Sequence, residues 1–290
     1  TVTQNNNSTG TFADNVTAIA APKVMINIGD DTIYTGTVTA NAADSASISL
    51  GSGGALSDAT LSVTSAKNIA IDGATDTAIT NLKLEGQNVS DLTITGSVII
   101  NGLNSSSNLN SLSAITSTSL GGIDLTGLPT SFAFGSFAKD VSINAEKSVV
   151  ATSTGFGLRA DIASFNSGNG SATILGSKVL NNEVSIGAGR NQIDVITGSG
   201  VDAITINELF ENGDSAQINI DLGLGGDDKL VLAAGDNKID NLNLQGVEKI
   251  SAGNTSGDML EVNASSVSGQ SVDFENFDKI FKICRHLSTN

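Results

Sequence analysis

Along most of the chain, aliphatic residues alternate with Ser, Thr, Asn and Asp at a spacing of two. That pattern marks strands with one buried and one wet face. From Lys23 it is plain: Val24-Met25-Ile26-Asn27-Ile28 runs into Gly29-Asp30-Asp31, and Thr32-Ile33-Tyr34-Thr35 follows. Between Ala59 and Ile100 the segments 61–64, 69–72, 79–84, 92–95 and 98–100 each predict a short strand, bounded by Gly73, Gly86, Gly96 and Gly102. A strand-to-strand spacing of roughly ten residues is too short for crossover helices and suits the successive sides of a coiled sheet. The alternation weakens over 103–140, where an Asn/Ser tract at 104–108 and Pro129 precede Phe132, Phe134 and Phe137. It resumes at Val141-Ser142-Ile143-Asn144 and continues through Ile174 and Val184-Ser185-Ile186. The best helical candidate is short, 206–211, ended by Asn212-Gly213. The elements predict an all-β chain: a polar lead-in over 1–22, a right-handed parallel β-helix or β-solenoid over 23–185, a glycine/aspartate-rich β-roll-like region over 186–270, and a C-terminal tail over 271–290.

Composition narrows the function. With no Trp and one Tyr in 290 residues, the core must be built from Ala, Val, Ile and Leu. Thirty acidic against 14 basic residues give a net charge of -16, which repels nucleic acid and anionic membrane surfaces and attracts divalent cations. No apolar run approaches the roughly 20 residues needed to insert into a bilayer. The lone Cys284 cannot form an internal disulfide. The chain opens on Thr1 without a charged-then-apolar leader, and reads as a mature fragment of a longer secreted protein. Catalytic side chains are scarce: the arginines are Arg159, Arg190 and Arg285, and the single histidine is His286. That leaves no histidine for a nucleophilic triad and few cations to stabilise developing negative charge, so the expectation is a protein that is not an enzyme.

One motif carries chemistry. Gly226-Asp227-Asp228-Lys229-Leu230 recurs nine residues later as Gly235-Asp236-Asn237-Lys238-Ile239. Gly198-Ser199-Gly200-Val201-Asp202-Ala203-Ile204 and Gly187-Ala188-Gly189-Arg190-Asn191-Gln192-Ile193 have the fuller Gly-x-Gly-x-Asp/Asn-x-aliphatic form, and Gly29-Asp30-Asp31-Thr32-Ile33 a shorter one. Gly permits the turn, and a carboxylate or amide beside it supplies oxygen ligands for a hard cation. Asp31, Asn191, Asp202, Asp227, Asp228 and Asn237 are therefore the candidate calcium ligands. The same residue types are also the favoured turn formers, so the strings fit a turn-rich protein without metal.

The region 186–281 resembles the glycine/aspartate-rich part of RTX-type, type I secreted bacterial proteins. The likeness rests on these degenerate repeats, on Leu244-Gln245-Gly246-Val247-Glu248-Lys249-Ile250, and on its echo Phe274-Glu275-Asn276-Phe277-Asp278-Lys279-Ile280. Thr64-Ser65-Ala66-Lys67-Asn68-Ile69, in a Ser/Thr/Ala-rich setting, is similar to the surface-layer proteins of Caulobacter and Campylobacter. The chain departs from that pattern in its sparse repeats and in Ile283-Cys284-Arg285-His286. The resemblance implies export without an N-terminal signal, calcium-dependent folding and a two-dimensional lattice on the cell surface. The resulting expectation is a secreted structural subunit that self-associates in the presence of calcium, with cell-surface polysaccharide as a further partner. The alternative is a β-solenoid adhesin or surface fibre, in which a loop near Phe132, Phe134 and Phe137 contacts host or matrix ligands.

Overall fold

The computed structural model describes residues 2–6, 9–104, 107–108, 111–125, 141–162, 170–187, 190–207, 209–210, 216–253, 258–263 and 272–283. Pro129, the Phe132/Phe134/Phe137 patch, Cys284 and His286 lie outside them. Among the described residues the regular elements are all strands, and they stack in parallel into a β-solenoid. The helix considered at 206–211 is not seen: Ile206 closes the strand Ala203–Ile206, Asn207, Leu209 and Phe210 carry no regular structure, and residues 208 and 211 lie outside the described residues.

The first face is a ladder in which each turn adds one strand at the same register. One inward column runs Val24, Ala46, Ile69, Leu92, Ile115, Ile143, Ile174, Val195, Ile220, Leu244. All ten are buried. Each position is aliphatic because successive Cβ atoms alternate faces, and only the inward set loses contact with water. Burying one such Val, Leu or Ile contributes about 1.5–3 kcal/mol, and the column repeats that gain at every turn.

The chain then bends through a corner into a second face. Ala160, Val184, Ile204, Leu230, Ile250 and Phe274 form one of its columns. The strands at the first corner do not always stop. Asn68–Glu85 runs continuously through the segments read from sequence as two strands, with its register shifting between Gly73 and Thr77. A third, narrower face is built by Val16–Thr17, Thr37–Thr39 and Thr60–Ser62 near one end, and by Asn237–Ile239, Met259–Asn263 and Lys279–Ile283 near the other. The polar segment 1–22 is part of the coil, since Val2–Asn6 pairs with Lys23–Ile28 and Gly10–Phe12 with Thr32–Tyr34.

Buried serines pin the corner between the first two faces. Ser119 Oγ donates to the carbonyl of Val98 (2.9 Å), Ser148 Oγ to that of Gly121 (2.8 Å), and Ser177 Oγ to that of Ser148 (2.5 Å). Glycines replace the serines further on. Gly223 has φ +82°, and a Cβ there would lie 2.2 Å from the carbonyl oxygen of Gly198. Only glycine accepts both that backbone angle and that approach.

Candidate functional site

At the start of the second face, one inward column changes its chemistry along the solenoid. Its members are Phe12, Tyr34, Leu56, Ile79, Ile100, Ile123 and Leu158 through the first turns. The register then places Asn182 on Leu158, and the same position is held by Asp202, Asp228 and Glu248 in the turns that follow. Val272 returns the column to an apolar residue. Asn182, Asp202 and Asp228 are completely buried, each 0% exposed.

Backbone hydrogen bonding accounts for half of this polar column. In the apolar turns the ladder at this corner uses peptide carbonyls: Ile100 N–H donates to Gly122 (3.0 Å) and Ile123 N–H to Gly157 (2.8 Å). In the polar turns a side chain takes over. Asn182 N–H donates to Asp202 Oδ1 (2.7 Å), Asp202 N–H to Asp228 Oδ1 (2.7 Å), and Asp228 N–H to Glu248 Oε2 (2.8 Å). Asn182 ties the column to its own turn, donating from Nδ2 to the carbonyls of Ser177 and Leu180 (3.0 Å each) and to Asp202 Oδ1 (2.9 Å). Each of these carboxylates therefore acts as a surrogate carbonyl at a corner where the turns diverge.

The other half is unsatisfied. Asp202 Oδ2 and Asp228 Oδ2 are buried without a hydrogen-bond partner. Adjacent turns are about 4.8 Å apart, so the two carboxylates face each other's charge in a poorly solvated interior. Burial, reinforced by the charges of Asp202, Glu248 and Asp227, pushes the Asp228 carboxyl up to about 6 despite the opposing hydrogen bond from the Asp202 N–H. Such a column needs positive charge, either as a proton or as a hard cation for which carboxylate oxygens are the natural ligands.

Of the candidate ligands, the structure brings together Asp202 and Asp228. Asp227 is adjacent in sequence but turns outward, where its Oδ1 accepts from Lys249 Nζ (3.1 Å). Asn237 lies on the third face, and its Nδ2 closes its own turn by donating to the carbonyls of Ala233 (2.8 Å) and Gly235 (3.2 Å). Asp31 is an exposed turn residue many turns away, with φ +50° and its N–H on the Ser52 carbonyl (2.8 Å). Asn191 falls on the first face in Arg190–Ile196, where the register shifts by one residue. The nine-residue step from Gly226 to Gly235 thus links two successive sides of one turn, not two stacked turns. Asn182 and Glu248, which complete the column, escape a search at that step. Counting 20 to 26 residues instead connects Asn182, Asp202, Asp228 and Glu248.

Among the described residues, no group of three or more His, Cys, Asp or Glu side chains is arranged to hold a metal ion. The donor type at Asp202 and Asp228 fits calcium, while six to eight oxygens demand contributions beyond this pair. No known family model matches the chain, and no curated protein or solved structure matches it.

Proposed function

We propose that this chain is a structural subunit of an extracellular bacterial surface layer, a β-solenoid that self-assembles in a calcium-dependent way. The observation that carries the reading is the buried Asp202/Asp228 pair, two carboxylates stacked on adjacent turns, each with one oxygen that has no hydrogen-bond partner. Calcium held there, with Asp202 and Asp228 as ligands and Glu248 as the neighbouring charge, offsets their repulsion and locks adjacent turns in register. Secretion suits this reading, because calcium is abundant outside cells, where sites of modest affinity are filled. A structural rather than catalytic role fits the use made of Arg159: it pairs with Glu183 across adjacent turns (2.7 Å) and lies over the Phe156 ring at 5.4 Å.

Cell-surface polysaccharide is the further partner we propose. The first face carries a groove where Thr173, Asp194, Asn219 and Asn243 form one outward column and Asp221 and Gln245 flank it. Within it Asn219 Nδ2 donates to Asp194 Oδ1 (2.6 Å), and the outward hydroxyl, amide and carboxylate groups offer donors and acceptors suited to sugar hydroxyls.

Light scattering and negative-stain imaging across a calcium series test the assembly reading. The expected outcome is ordered sheets or larger oligomers at millimolar calcium and their loss in excess chelator. A native chain that stays monomeric at every calcium concentration defeats it.

A further inference from the structure

The groove on the first face lies where two outward columns run side by side. The register stacks Thr173, Asp194, Asn219 and Asn243 in one column and Leu175, Ile196, Asp221 and Gln245 in the other. Four turns span roughly 14 Å at about 4.8 Å per step. The groove encloses about 390 Å³, which falls within the range of about 300–1,000 Å³ usual for small-ligand sites.

Its charge restricts what can enter. Asp194 and Asp221 are the charged residues that line it, and no described lysine or arginine does. Lys178, at the neighbouring corner, directs its Nζ to the Thr197 carbonyl (2.9 Å). Phosphate, sulfate and uronate groups therefore meet two carboxylates with no lining cation to offset them, in a chain whose net charge is already -16. Anionic glycans are disfavoured.

The hydrogen-bonding pattern narrows the choice further. Asp194 already holds two amide donors, Asn219 Nδ2 on Oδ1 (2.6 Å) and Gln192 Nε2 on Oδ2 (2.5 Å), and Asp221 Oδ1 accepts from the Gly223 N–H (3.1 Å). A carboxylate offers about four acceptor positions, so both retain capacity for a hydroxyl donor. Asn243 and Gln245 are exposed, and their amides both donate and accept, as a hydroxyl does. Between these polar groups Ile196 is 40% exposed. An apolar surface there favours C–H groups and penalises a cation, which would lose water against it without a partner in return.

We infer that the groove binds a neutral saccharide, with the C–H face of a sugar ring on Ile196 and its hydroxyls between the carboxylates of Asp194 and Asp221 and the amides of Asn243 and Gln245. The inference rests on the polysaccharide reading and narrows it to one chemical class. The rise per turn is close to the length of one pyranose ring, so a linear glycan laid along the columns meets a fresh set of polar groups at each turn.

Affinity electrophoresis of the native chain tests this, at a calcium concentration below that which assembles it. The gels contain dextran, mannan or galactan as neutral polymers, and dextran sulfate or polygalacturonate as anionic ones. Retardation relative to a blank gel is expected with at least one neutral polymer and with neither anionic one. Asn243→Ala/Gln245→Ala leaves the net charge unchanged and alters only exposed side chains, so its thermal midpoint should stay native. Its dissociation constant for the retarding polymer should rise about tenfold, as for loss of two hydrogen-bonding groups. Unchanged retardation of that variant overturns the groove as the site and leaves the polysaccharide reading standing. Retardation by an anionic polymer as strong as by any neutral one overturns the neutral class and likewise keeps that reading. A chain that migrates freely in every gel removes both.

Discussion

Asp228 is an acid whose neighbours oppose its ionisation, and this gives a signed pH dependence. Its carboxyl titrates near 6 in the folded chain against an ordinary 3.8. Between those values the folded state keeps a proton that the unfolded state has released. Its favourable contribution is therefore complete below about 4 and is lost as pH rises through 6. In chelator, the melting temperature should be higher at pH 5 than at pH 7.5, and Asp228→Asn should flatten that difference. General repulsion among the remaining carboxylates acts in the same direction, so the measurement is the difference between variant and native profiles. Superimposable profiles would remove Asp228 as the titrating group. Gly223 provides a steric test: with φ +82° and no room for a Cβ, Gly223→Ala should cost about 2 kcal/mol or more in urea unfolding. At this scale the sequence was partly legible. Asp202 and Asp228 stand out because a glycine lies two residues before each; Glu248 has one too, Gly246, but lacks the Asp or Asn of the motif, whereas Asn182 follows Leu180 and Asn181 with no such mark.

Among the elements, alternation revealed the aliphatic columns because each turn repeats the same inward parity, and Ile69, Leu92 and Ile143 could be identified as core from pattern alone, whereas Ile115 lies in the stretch where the alternation weakens. Strand ends could not. Asn68–Glu85 keeps its ladder through a corner, since parallel stacking continues wherever the turn above follows the same path. The lead-in was misleading for a related reason: its Asn and Thr content marks wet faces, while pairing depends on backbone that any side chain can present. The polar column needs a partner one turn away, and that distance varies with every insertion in the corners. Its role as a carbonyl surrogate predicts how substitutions should rank. Asp202→Asn keeps an oxygen for the Asn182 N–H and should cost little in chelator at neutral pH, because it also removes a buried charge. Asp202→Ala strands that N–H and opens a gap, and should cost about 2–4 kcal/mol by denaturant unfolding. Equal losses for Asn and Ala would show that the charge, not the acceptor, is what the corner needs.

For the whole molecule, a net charge of -16 makes two effects of calcium separable. Any salt screens repulsion between distant surface carboxylates, and at 0.15 M ionic strength that screening acts beyond about 8 Å. An ion held between Asp202 and Asp228 works differently, because it binds the folded chain alone and stabilises it by mass action, about 2.7 kcal/mol at one hundred times its dissociation constant. Sodium chloride and calcium chloride matched for ionic strength should therefore not be equivalent. Calcium should add several degrees to the melting temperature beyond the sodium response. Asp202→Asn/Asp228→Asn should abolish that increment and leave the sodium response intact, since the outward carboxylates are untouched. The polarity change along the column makes this stabilisation local as well. Hydrogen exchange should slow on calcium addition in the strands Asn182–Ile186, Ala203–Ile206 and Lys229–Leu232, which begin at or directly after the polar positions, and change little in Lys23–Ile28 or Ser45–Leu50, where the inward positions are aliphatic. If calcium merely screens, protection rises evenly along the solenoid and the double variant responds like the native chain; that outcome would rule out Asp202 and Asp228 as the calcium-responsive site.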